Sequence, residues 1–134
     1  MAIPTILKHE TQNRHFFSGS YGAISAATDN FADTSVLDVS ALTGGYNTAI
    51  KITKLIMAGS PGVELKLEFD DDSADEFIAL YPIGVSTQIE LDLTKHAAGG
   101  LTYKGTGGTG DIVVTSSSIA VADSIQLYIE GYVV

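Results

Sequence analysis

Polar and apolar residues alternate with a period of two over most of this chain. Val63, Leu65, Leu67 and Phe69 are separated by Glu64, Lys66 and Glu68. Ile89, Leu91 and Leu93 are separated by Glu90 and Asp92, and Ile125, Leu127 and Ile129 by Gln126 and Tyr128. Successive strand side chains point to opposite faces, so each run predicts a strand with one buried and one wetted face. Ile50 and Ile52 begin a fourth alternation, which Leu55 and Met57 continue in the opposite phase. One extra residue near Thr53-Lys54, a β-bulge, would restore the phase. Further strands are expected at Ala2–Lys8, Tyr21–Thr28, Val36–Leu42, Glu76–Tyr81 and Asp111–Ser116. No window has a convincing helical period, and the pattern allows at most a turn or two at Ala23–Ala27 or Thr94–Ala98.

Turn signals fall between these runs at Gly44-Gly45, Gly59–Gly62, Pro82–Gly84, Gly99-Gly100 and Gly105–Gly110. One turn about every 8–12 residues predicts an all-β fold, an antiparallel β-sandwich that is jelly-roll-like with about 8–9 short strands. The 134 residues are read as a single β-sandwich domain. His9–Ser20 is polar up to Phe16-Phe17 and reads as a connection. Residues 1–20 then supply either an edge strand of this domain or an N-terminal arm reaching a neighbouring subunit, the edge strand being favoured.

Composition narrows the function more than the fold. Hydrophobic residues make up 45% and charged residues 17%, with a net charge of −9. Such a chain is not disordered, and it lacks the basic face that nucleic acid or an anionic membrane requires. No apolar run approaches the length of a membrane span. Cysteine is absent, which removes thiol chemistry, cysteine-ligated zinc and disulfides. The first residues lack the basic-then-apolar pattern of a signal peptide, so the protein is expected to be made in a cytoplasm and to work without passing through a secretory pathway that would cleave it. From Glu64 to Asp92 there are nine carboxylates against Lys66 alone. The acid is thus read as one local face.

Candidate chemistry is sparse. Gly105–Gly110 matches G-x-G-x-x-G, but β-branched Ile112-Val113-Val114 follow where a phosphate-binding helix should begin. A flexible loop is the better reading. The run Asp70–Glu76 fails the EF-hand pattern and reads as a solvated hairpin tip, with calcium at Asp70, Asp72 and Asp75 as the alternative. His9, His15 and His96 lack metal-ligand spacing, although a strand would place His9 and His15 on one face. No nucleophile elbow or triad pattern occurs, so no catalytic residue, cofactor or resident metal is expected. Phe16 and Phe17 point to opposite faces of any strand, and one of them is a candidate partner anchor. Ile3 and Ile6 join them as candidate partner-binding residues.

The C-terminal third reads Gly99-Gly100-Leu101, then Thr109-Gly110-Asp111-Ile112-Val113-Val114-Thr115, then Ala122-Asp123-Ser124-Ile125. In that order these segments resemble the small virion structural proteins of tailed bacteriophages. Val36–Leu42 and Ala49–Leu55 are also similar to that family, so the likeness runs from about Val36 onward. The resemblance implies a non-enzymatic capsid decoration or cement protein on the outer surface of the shell. Its partners would be the major capsid protein and further copies of itself, a trimer being favoured. Ser and Thr together number 25, and short hydroxyl side chains lose little entropy on packing against a partner. Two other classes stay open: a carbohydrate-binding β-sandwich for attachment, and a glycoside- or ester-hydrolysing domain.

Overall fold

The alternating runs pair into two antiparallel sheets. The computed structural model describes residues 6–13, 15–24, 30–32, 34–42, 50–72, 74–81, 88–95, 99–103, 108–117 and 123–133. Ten strands lie among them: β1 (Leu7–Asn13), β2 (Phe16–Ile24), β3 (Thr34–Leu37), β4 (Ile50–Gly59), β5 (Glu64–Phe69), β6 (Glu76–Tyr81), β7 (Ile89–Asp92), β8 (Leu101–Thr102), β9 (Ile112–Ser117) and β10 (Ser124–Val133). The first sheet runs β1-β2-β10-β4-β7, with β8 also on β4, and the second runs β3-β9-β5-β6. The chain is therefore an all-β sandwich. Leu65, Leu67 and Phe69 of β5 join Leu55 and Met57 of β4 and Leu127 and Ile129 of β10 in one core cluster. That burial is the main force holding the sheets together.

The expected bulge is present. Glu130 of β10 pairs with Lys54, but the next residue, Gly131, pairs with Ile52, so Thr53 is the extra residue. Ile52 and Leu55 both reach the core in consequence. The Thr53 hydroxyl donates to the Glu130 carbonyl at 3.3 Å, and its own carbonyl accepts from the Leu93 N–H at 2.8 Å.

Two readings of the pattern are corrected. His9–Ser20 is not a connection: β1 and β2 form a hairpin within the chain, pairing Leu7 with Gly22 through Asn13 with Phe16. β1 is exposed on both faces over most of its length, so an edge strand of this kind carries no apolar alternation to read. Val36–Leu42 is not one strand either, because β3 ends at Leu37 and a 3₁₀ turn spans Val39–Ala41. Asp38 sets that end: its carboxylate accepts from the Ser40 N–H at 2.9 Å and the Ser40 hydroxyl at 2.6 Å. Such capping competes with strand pairing. Of the allowed helical turns, Ala23 and Ile24 belong to β2 and Thr94-Lys95 form a turn. The remainder of both segments lies outside the described residues.

Candidate interaction surfaces

Strand register lays four rows of side chains across the outer face of the first sheet. Leu7, Gly22, Gln126 and Ala58 form one row, and His9, Ser20, Tyr128, Ile56 and Glu90 the next. Thr11, Ser18, Glu130, Lys54 and Asp92 form the third, and Asn13, Phe16, Tyr132, Lys51 and Thr102 the fourth. In the first row small residues lie between larger ones, leaving a groove of about 610 Å³ floored by Gly22 and Ala58. Leu7 and Ile24 flank it, 69% and 72% exposed. His9 also lines it from the same face of β1, and among the described residues no carboxylate does.

A second hollow of about 350 Å³ continues along the same face, lined by Ser20, Ile56, Gln88, Gln126 and Tyr128. The Tyr128 hydroxyl donates to Glu130 Oε2 at 2.7 Å, and that bond, with burial, pushes its pKa up. Lys54 pairs with Glu90 at 3.3 Å. Both side chains are well exposed, so the pair contributes little stability. At the far end Phe16 and Tyr132 stack edge-to-face with centroids 5.7 Å apart. They are 37% and 47% exposed.

The sequence candidates are dispersed. Phe17 fills the chain's own core at 2% exposure and is not available to a partner, whereas Phe16 on the opposite face is. Ile6 is half-buried against the core, and Ile3 lies outside the described residues. His9 is on β1 and His15 in the hairpin turn, both exposed. His96 lies outside the described residues. Gly108–Gly110 lead into β9 rather than a helix, and Gly105–Gly107 lie outside the described residues.

The acidic run is tied down within the chain. Asp70 accepts from the Thr109 hydroxyl at 2.8 Å, Asp71 from the Tyr103 hydroxyl at 2.8 Å, and Asp75 from the Asp71 N–H at 3.0 Å. The Tyr103 oxygen in turn accepts from the Gly108 N–H at 2.9 Å. Burial, with Asp71 beside it, raises the Tyr103 pKa. These carboxylates lace the β5–β6 hairpin to the segment before β9. Asp72 is exposed. Among the described residues no group of three or more His, Asp or Glu side chains is placed to hold a metal ion. Nor is the acid one face: Glu64 and Glu68 belong to the second sheet, Glu90 and Asp92 to the first. Sequence order alone put them together.

Sequence reasoning missed Leu7, Ile24 and Tyr132, and it also missed Phe77 and Leu80, exposed on β6 at the edge of the second sheet. Only Tyr132 carried a usable signal, since it continues the polar phase of β10 after Gln126, Tyr128 and Glu130. Neither a scan of protein-family models nor a search of curated proteins returns a match to this sequence.

Asp38 and Asp92 give the protein an acid-sensitive component. The Ser40 hydroxyl and then its N–H hold Asp38 below the usual carboxylate range, and the Thr94 hydroxyl (2.5 Å) and N–H (3.0 Å) do the same for Asp92. A lowered folded pKa stabilises the fold above the unfolded value of about 4 and loses that effect as pH falls below it. The urea midpoint should therefore drop between pH 6 and pH 3. Asp92→Asn, which keeps an acceptor but cannot titrate there, should flatten part of the drop.

Proposed function

We propose that this protein is a non-enzymatic virion structural component of a tailed bacteriophage, a decoration or cement protein that binds the major capsid protein on the outer shell and stabilises it. The observation that carries the reading is the exposed Phe16–Tyr132 stack. Aromatic side chains left exposed on a rigid sheet face are common anchors of protein contacts. The likeness of the C-terminal third to small virion proteins supplies the identity of the partner. The strand order supports a jelly roll in particular: β2-β10-β4-β7 lies over β3-β9-β5-β6, two nested antiparallel ladders. Binding to the assembled lattice stabilises it by mass action. Purified protein should sediment with undecorated shells, and Phe16→Ala with Tyr132→Ala should weaken that binding at least about tenfold. Absence of sedimentation with the unaltered protein, together with unchanged heat release of the genome when it is lost, overturns the proposal.

One feature favours a second reading, a carbohydrate-binding module. The hollow bounded by Ser20, Gln88, Gln126 and Tyr128 offers amides, a hydroxyl and an aromatic ring, the groups that grip a sugar. A glycan array with Gln126→Ala as the control tests it. Saturable binding lost in the variant would establish this reading over the first.

A further inference from the structure

Tyr103 is attached to the first sheet and bonded to the second. It directly follows β8, which pairs with Lys51 and Ile52 of β4. Its hydroxyl donates to Asp71 Oδ2 at 2.8 Å and accepts from the Gly108 N–H at 2.9 Å. Asp71 lies just after β5 and Gly108 before β9, both strands of the second sheet. A phenol donates and accepts at once, so a single oxygen ties two segments of one sheet to a strand end of the other. The ring beside it lies against Phe69, with centroids 6.1 Å apart.

The two sequence motifs that the proposed function leaves unused meet at this oxygen. Gly108 and Gly110 belong to the glycine-rich match, Asp70 and Asp71 to the acidic run. A Cβ on Gly108 would collide with the Asp70 carbonyl oxygen and the Asp71 Cα. One on Gly110, where φ is +71°, would stand 2.7 Å from the Tyr103 ring. Both glycines are therefore required by close approach, and Gly110 by its backbone conformation as well. The Asp70 N–H donates to the Asp111 carbonyl at 2.8 Å, and the Gly110 N–H to the Asp70 carbonyl at 3.1 Å. These bonds carry the β5–β9 ladder past its last pair, Phe69 with Ile112.

We propose that Tyr103 is a latch between the two sheets, received by the acidic and glycine-rich segments together, and that its release opens this end of the sandwich as one local unit. Local openings begin where bonds are near the surface and little apolar area is sealed. Tyr103, Asp71 and Gly108 are each only half-buried, and Thr109 is exposed. The inference goes beyond the proposed function and does not depend on it, because the latch acts within one chain.

Amide hydrogen exchange of the full chain, followed residue by residue by NMR, tests the latch. Tyr103→Phe keeps the ring on Phe69 and removes only the oxygen. The amides of Gly108, Gly110 and Asp70 should then exchange at least about tenfold faster, the loss expected for a bond to a charged acceptor. Amides of the β10–β4 ladder should change by less than about twofold. In an Asp71→Ala background the same substitution should have a smaller effect, since one of the two partners of the hydroxyl is already gone. Tyr81→Phe removes a hydroxyl that bonds the Gly59 carbonyl at the other end of β4, at 3.4 Å. It should leave the Gly108, Gly110 and Asp70 amides as they were. Acceleration confined to Gly108 overturns the proposal, because the oxygen would then be a passive acceptor. Acceleration spread evenly through both sheets also overturns it, as does an undiminished effect in the Asp71→Ala background or an equal response to Tyr81→Phe.

Discussion

Leu55→Ala is expected to remove about 2–5 kcal/mol of folding stability, whereas Ile56→Ala, one residue further along, should remove only about 1 kcal/mol. Leu55 is fully buried and lies between Ile129 on β10 and Leu91 on β7. Its truncation leaves a cavity between rigid strands that cannot collapse to fill it. Ile56 points to the outer face, between Tyr128 and Glu90, and already meets solvent. A domain of this size has a total stability of about 5–15 kcal/mol, so the first substitution takes a large share. Urea denaturation of both variants measures the contrast. Equal losses would mean that β4 is out of the register described here, because only the bulge at Thr53 turns Leu55 rather than Lys54 and Ile56 inward.

Gly131→Ala should be strongly damaging for a single added methyl, costing roughly 3 kcal/mol. A Cβ at this position would collide with the Lys51 carbonyl oxygen and stand 3.0 Å from its carbon and 3.2 Å from the Ile52 Cα. These are backbone atoms of the strand paired with β10, so no rotamer change relieves the contact. Gly131 lies where the pairing skips Thr53, and the bulge brings the two backbones together at that point. Gly22→Ala is the matched control on the neighbouring strand. Its Cβ has ordinary room, and replacing a strand glycine should stabilise by up to about 1 kcal/mol. Thermal melts of the two variants should move in opposite directions.

The most legible features were those tied to burial. The alternations in β5 and β10 mark strands because one side of each is sealed against the other sheet, and sealing imposes a period of two. The phase break between Ile52 and Leu55 was readable for the same reason: both residues must be buried, and only an extra residue allows it. β1 was not legible. Its faces are both open, so its sequence records solvent rather than structure. The 3₁₀ turn at Val39–Ala41 was hidden by apolar residues that fit a strand equally well, and Asp38 decided between them.

The candidate surfaces were less legible still, since a surface is assembled by strand order. Leu7, Gly22, Gln126 and Ala58 are remote in the chain and become one row only because β10 lies between β2 and β4. The acidic stretch shows the reverse. Contiguous in sequence, it is divided when β5 and β7 enter different sheets. Local alternation and composition determined by themselves that this is an acidic, cysteine-free protein of short antiparallel strands with a bulge in β4. They could do so because side-chain direction along a strand is a local property. The tertiary structure alone decided which strands are neighbours, and therefore which exposed residues form a groove, a stack or an open edge. Hydrogen bonding between strands joins residues by spatial pairing, and alternation within one strand carries no record of its partner.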